Sequence, residues 1–190
     1  AAVTIALVMF TKQESKIRCR LGGSYVDQIT ASLRSEAIAE KALPIPGNSE
    51  MCFQGSVLAA KGFILDPEEA SRLIVDDPKN KDVIFPYFTG DEVFNSTVLK
   101  PSRYVINFFD WPLERAKQYR APSEIIEREV LPVRAKVSRK AHRDYWWHYG
   151  DKRAALYRRL GALSRTIVQT HHTKYLCPQF VETGPVFSHS

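Results

Sequence analysis

Apolar and polar positions along this chain change period several times, and each change predicts an element. The opening AAVTIALVMF is a continuous apolar run of strand length, too short to cross a bilayer and without the basic flank or cleavage-like site of a signal peptide. It reads as a buried strand, and a chain that starts on one is expected to be a piece of something larger. From Ser24 to Leu43 no Pro or Gly intervenes, and Val26, Ile29, Leu33, Ala37 and Ile38 recur near helical spacing, which predicts a helix. Pro44, Pro46 and the Gly47-Asn48 pair then oppose helix and favour a turn. A boundary is expected there, dividing the chain into 1–47 and 48–190.

Beyond the boundary short strands alternate with short helices. CFQGSVLAAKGFIL reads as extended. DPEEASRLIVDD has the signature of a helix start, with Asp66 as N-cap, Pro67 at the first helical position and acids in the first turn. DVIFPYFTG and SRYVINFFDW, rich in β-branched and aromatic residues and bounded by turn residues, read as strands. WPLERAKQYRAPSEIIEREVLPVR predicts two short helices separated near Ala121-Pro122, and RAALYRRLGAL a further one. SRTIVQTHHTKYLCPQFV predicts a hairpin with its tip at His171 to Thr173. The expected class is α+β with a mainly antiparallel sheet.

Composition narrows the chemistry. The 190 residues carry 27 Lys and Arg against 21 Asp and Glu, a net +6 that favours an anionic partner. The excess is concentrated: from Arg134 to Lys174 eleven basic residues face two acids, Asp144 and Asp151. Cys19, Cys52 and Cys177 are odd in number and widely spaced, which argues against a disulfide framework or a zinc site and for a reducing cytoplasm. Gly22-Gly23 reads as a turn rather than a phosphate cradle. His171-His172 would point to opposite faces of a strand and lack a third metal ligand at a fixed spacing. No P-loop, GxGxxG or GxSxG occurs, so no catalytic, cofactor-binding or metal-binding residue is assigned.

The stretch SRKAHRDYWWHYGDKR interleaves cations with Trp146, Trp147 and Tyr149. Arginine stems over a buried aromatic face would account for the rings, which then serve as an anchor. Arg134, Lys136, Arg139, Lys140 and Arg143 have few acidic neighbours in sequence, and for these phosphate contact stands beside plain solvation.

In order, CFQGSVLAAKGFIL, DDPKNKDVIFPYFTGDEV, PSRYVINFFDWPLERAKQY, YWWHYGDKRAALYRRL and GPVFSHS resemble the target recognition domain of bacterial adenine-specific DNA methyltransferases. That group includes fused type II restriction-modification enzymes and single-chain relatives in phage defence. The resemblance covers roughly 48–190 and implies that 1–47 is the C-terminal end of a methyltransferase domain with its linker helix. It further implies binding of double-stranded DNA, with Lys136, Arg139, Lys140, Arg143 and Arg153 on phosphates and His171, His172 and Lys174 on base edges. The Asn-Pro-Pro-Tyr/Phe motif and the glycine-bearing cofactor loop of the family are missing, so methyl transfer from S-adenosylmethionine would belong to the parent protein, with an endonuclease as well in fused enzymes. Gln169, His171 and His172 stand where many relatives carry a proline and a serine near the tip. A basic protein-interaction domain with no DNA role is the competing expectation.

Overall fold

The computed structural model describes residues 19–30, 33–35, 45–48, 50–95, 98–171, 173–174 and 176–189. The expected first strand, half of the expected helix from Ser24 to Leu43, and His172 lie outside them. The chain divides into two compact units, Ala1–Ser49 and Glu50–Ser190.

In the first unit, β1 (Cys19–Leu21) and β2 (Ser24–Val26) form an antiparallel hairpin with Leu21 opposite Ser24. Gly22 and Gly23 alone make the turn at φ +56° and +92°, the left-handed values that a two-residue hairpin turn needs and that glycine adopts without strain. The start of the expected helix at Ser24 is therefore strand. A helical spacing of apolar residues yields here to a turn that returns the chain on itself.

The second unit is built on a four-stranded sheet. A 3-10 turn at Lys61–Phe63 leads into β3 (Ile64–Leu65), so the expected extended run before it shrinks to two strand residues and the isolated bridges at Ser56 and Val57. Next comes α1 (Pro67–Asp76), where the Asp66 carboxylate accepts from Glu69 N at 2.7 Å and Ala70 and Leu73 are buried. It ends at Asp77 because Pro78 follows, and the Asp77 side chain caps the next 3-10 turn through Lys79 N. Then follow β4 (Ile84–Phe88), α2 (Gly90–Asn95) and β5 (Arg103–Ile106). The helical region holds α3 (Leu113–Ala116), α4 (Arg120–Glu129), α5 (Leu131–Arg134), α6 (Lys140–Asp144) and α7 (Ala154–Leu160). The predicted hairpin is β6 (Arg165–Val168) and β7 (Gln179–Glu182), and β8 (Val186–Phe187) closes the order.

Pro122 does not separate a pair of helices as expected. It sits in the first turn of α4, where its missing N–H has no intrahelical acceptor to lose, and the break falls instead before Arg120. Within the sheet the order is β3-β5-β4-β8, antiparallel except for the parallel β4/β8 pair. The class is α+β, as expected. Among the described residues no helix is long and apolar enough to cross a membrane.

Phe63, Leu65, Val83, Val105, Ile106, Ile126 and Val130 make the centre of the core between sheet and helices. The aromatic stretch joins it from the side. Trp147 is 8% exposed and donates through Nε1 to the Trp111 carbonyl at 2.9 Å, His148 Nε2 reaches the same oxygen at 2.8 Å, and Tyr149 donates to the Ile106 carbonyl. Trp146 meets Trp147 edge-on. The rings are the anchor that the sequence suggested. A smaller cluster of Phe88, Leu160, Val181 and Phe187 fastens α7 and the β6/β7 hairpin to the end of β4 and β8.

Changing Trp147 to Ala removes a buried ring and a hydrogen bond, and should lower unfolding free energy by about 3–5 kcal/mol, read from denaturant unfolding. A change below about 1 kcal/mol would show that the ring is not part of the core.

Candidate nucleic-acid interface

Two surfaces carry the residues singled out from the sequence. The first is the basic connection around α5 and α6, and it is not uniform. Lys136, Arg139 and Lys140 are exposed and make no ion pair among the described residues. Arg143 is exposed too, but its Nη1 donates to the carbonyls of Val137 and Ser138 at 2.8 and 2.7 Å, holding the turn between the two helices. Arg153 sits at the N-cap of α7 with φ +53°, a strained value for a long side chain. Its N–H donates to Asp151, its guanidinium pairs with the same carboxylate at 3.2 Å, and Nη2 donates to Gln54 at 2.7 Å.

Arg134 does not belong to this surface. It is 0% exposed and donates through Nη2 to the carbonyls of Leu58 and His148 at 2.8 and 3.1 Å, with burial pulling its pKa down. Its sequence context groups it with the exposed cations, yet its place at the last turn of α5 aims it across the core edge at two carbonyls 76 and 14 residues away. Burial likewise lowers the pKa of His142 and His148, which favours neutral rings at neutral pH.

The second surface lies where the hairpin tip meets the end of the sheet. A cleft of about 850 Å³ runs between the hairpin and the β4/β8 end, lined among others by Phe53, Phe88, Leu156, Gln169, Lys174 and Phe187. A neighbouring cleft of about 370 Å³ shares His171, Thr89 and Ser188 with it and adds Tyr87, Asp91 and Arg103. His171 and Lys174 are thus at clefts, whereas none of the five basic residues assigned to phosphates lines either one.

The smaller cleft is organised by Glu92, 2% exposed. Thr89-Gly-Asp-Glu92 has capping-box spacing, and the Glu92 carboxylate returns to the N–H that precedes α2. One oxygen accepts from Thr89 N and Oγ1, both at 2.8 Å, and the other from Ser102 Oγ at 2.6 Å and Ser102 N at 3.3 Å. Burial pushes its pKa up, but the hydrogen bonds of Ser102 and Thr89 outweigh it and hold the carboxyl below its ordinary value. Thr89 Oγ1, its proton given to Glu92, accepts from Arg103 Nη2 at 2.9 Å, and the same nitrogen pairs with Asp91 at 3.0 Å. Antiparallel register explains why Arg103 is there: it stands opposite Tyr87, two residues before Thr89.

Arg103 and Ser102 are not assigned a role by the sequence, where they read only as a strand start. The Thr-x-x-Glu spacing was a signal for α2 and for a buried carboxylate. Among the described residues no group of three or more His, Cys, Asp or Glu is placed to hold a metal ion.

No family model and no curated protein matches the sequence. Among solved structures the fold is similar to a portion of a type IIL restriction-modification enzyme, MmeI, solved in complex with DNA. The TM-score is 0.58 at 13% identity, over 87% of this chain and 22% of that one. At that identity the likeness is one of fold.

Glu92→Gln keeps the shape but sets an amide NH2 against donors, and should lower stability at neutral pH by about 3 kcal/mol. Because the folded carboxyl has the lower pKa, its contribution is present above the unfolded carboxylate pKa and is lost as pH falls through the folded value. Unfolding curves of the two proteins should therefore converge in acid; a gap that stays constant with pH would contradict the charged, hydrogen-bonded assignment.

Proposed function

We propose that this chain is a double-stranded DNA target recognition domain of a bacterial adenine-specific DNA methyltransferase or restriction-modification enzyme. The observation that carries the reading is the fold shared over 87% of the chain with an enzyme whose structure was solved on DNA. The five ordered sequence blocks support the finer assignment. In this reading the work is divided. Lys136, Arg139 and Lys140 neutralise phosphates and set position, joined by Arg143, which also holds the turn between α5 and α6, and by Arg153, which also pairs with Asp151 and Gln54 at the start of α7. His171, His172 and Lys174 at the hairpin tip meet base edges. The parent's methyltransferase domain supplies S-adenosylmethionine and the pocket for an adenine turned out of the duplex.

A basic protein-interaction domain is favoured by one observation. Ile167 and Phe180 face each other across the β6/β7 hairpin and are 58% and 59% exposed, with Leu176 at 86%. An acidic protein partner would use both that apolar pair and the cations.

Selection from a pool of random duplexes separates the two. The DNA reading expects one sequence to be enriched; retention without enrichment, or none, supports the protein partner. Arg139→Ala or Lys140→Ala should weaken cognate and unrelated duplexes alike, with the slope of log affinity against log salt reduced by about one per lost contact. A tip change such as Lys174→Ala should fall mainly on the cognate duplex, by roughly 1–3 kcal/mol.

A further inference from the structure

The smaller cleft differs in charge from the basic connection around α5 and α6. Around it stand two carboxylates, Asp91 and Glu92, and one guanidinium, Arg103. Glu92 is spent inside on Thr89 and Ser102, but the Asp91 side chain is 71% exposed and that of Arg103 35%. An exposed carboxylate repels phosphate. On a face that meets DNA, it is tolerated where it accepts a proton from a base amino group, and such groups lie on the groove edges of the bases.

A surface ion pair and acids at the start of α2 complementing its dipole would explain why the pair forms. Neither explains its setting. Arg103 is held at one end only: its hydrogen bonds to Thr89 and Asp91 both use Nη2, and Nε and Nη1 make none among the described residues. The guanidinium carbon stands 6.0 Å from the centre of the Tyr87 ring, so the group is steered from below as well. Across the cleft is His171 of the hairpin tip, which brings two polar clusters far apart in sequence to one place.

We infer that Arg103 and Asp91 together read one G·C base pair in the major groove, the guanidinium donating to guanine N7 and O6 and the carboxylate accepting from cytosine N4. The pairing follows from the groove code: guanine offers two acceptors, its partner cytosine one donor, and a guanidinium beside a carboxylate offers the complement of both. To engage guanine with two N–H groups Arg103 exchanges one of its Nη2 bonds, while the other keeps it registered to the loop. Preorganisation by Glu92 and Thr89 keeps down the ordering cost of a long side chain on binding. This site rests on the DNA-recognition reading and adds a reader on α2 and β5 to those at the hairpin tip.

The test is selection from the same random duplex pool with the unaltered chain, with Asp91→Asn and with Arg103→Gln, each checked for an unchanged thermal unfolding curve. The unaltered chain should select a site containing a G·C pair at which both variants lose preference by roughly 5- to 150-fold, while other positions keep theirs. Arg103→Gln should move that position toward A·T, since a Gln amide matches adenine N6 and N7. If Arg103→Gln unfolds, Asp91→Asn, which changes only an exposed group, decides alone. A selected sequence that stays the same in the folded variants overturns this site and leaves the DNA reading standing. Failure of the unaltered chain to select any sequence overturns both.

Discussion

A buried carboxylate is costly unless its lone pairs are met, and in this fold the Glu92 carboxylate meets four donors. That requirement fixes three segments at once: the exit of β4 at Thr89, the first turn of α2, and the approach to β5 at Ser102. It also settles direction. With the Thr89 hydroxyl proton committed to Glu92, its oxygen is left as an acceptor, and Arg103 takes it. The polar edge of the sheet is therefore ordered outward from a buried charge, so that exposed groups inherit their orientation from one that solvent does not reach.

The aromatic and basic stretch shows the complementary arrangement. Trp147, His148 and Tyr149 turn inward and find backbone carbonyls for their polar atoms, two of them on the single oxygen of Trp111. That leaves Lys136, Arg139 and Lys140 outside, while Arg134 crosses to the interior and joins the Leu58 and His148 carbonyls. The same arginine-rich run thus supplies both a solvated surface and an internal tie. Charge counting along the sequence treats these as one population. Which residues fall into which depends on the position of α5 against the core, a tertiary fact.

Legibility followed the range of the interactions. Helix α1 was visible because its start is local: a capping Asp66, Pro67 and two acids. Strands β4 and β5 were visible from composition, and the β6/β7 hairpin from turn residues between two extended runs. Pro122 misled because the same residue ends one helix or opens another, and only the place of the preceding break distinguishes them. The stretch from Ser24 misled because apolar spacing was weighed above the Gly22-Gly23 turn. β8 had no local signal, since two residues become a strand only by pairing with β4 from about a hundred positions away. At the candidate interface the hairpin tip and the loop after Phe88 are polar clusters far apart in sequence. Their meeting at one cleft, and Arg103 between them, required the sheet register.

Two kinds of surface on one small unit have a physical consequence. A basic connection alone binds any polyanion and gives affinity that salt removes, with nothing in it to tell one sequence from another. A cleft bearing Asp91 works against that affinity, and its cost is recovered only from a ligand that presents a donor where the carboxylate stands. Penalty for the wrong ligand is what turns binding into discrimination. The separation of the two surfaces matters for the same reason. None of the exposed cations assigned to phosphates lines either cleft, so under the proposed DNA reading a sequence-blind component of binding and a selective one would be separately variable. Under that reading, a sheet beneath the cleft and cations on a helical connection would hold the selective geometry in place while the charged side chains follow the DNA backbone.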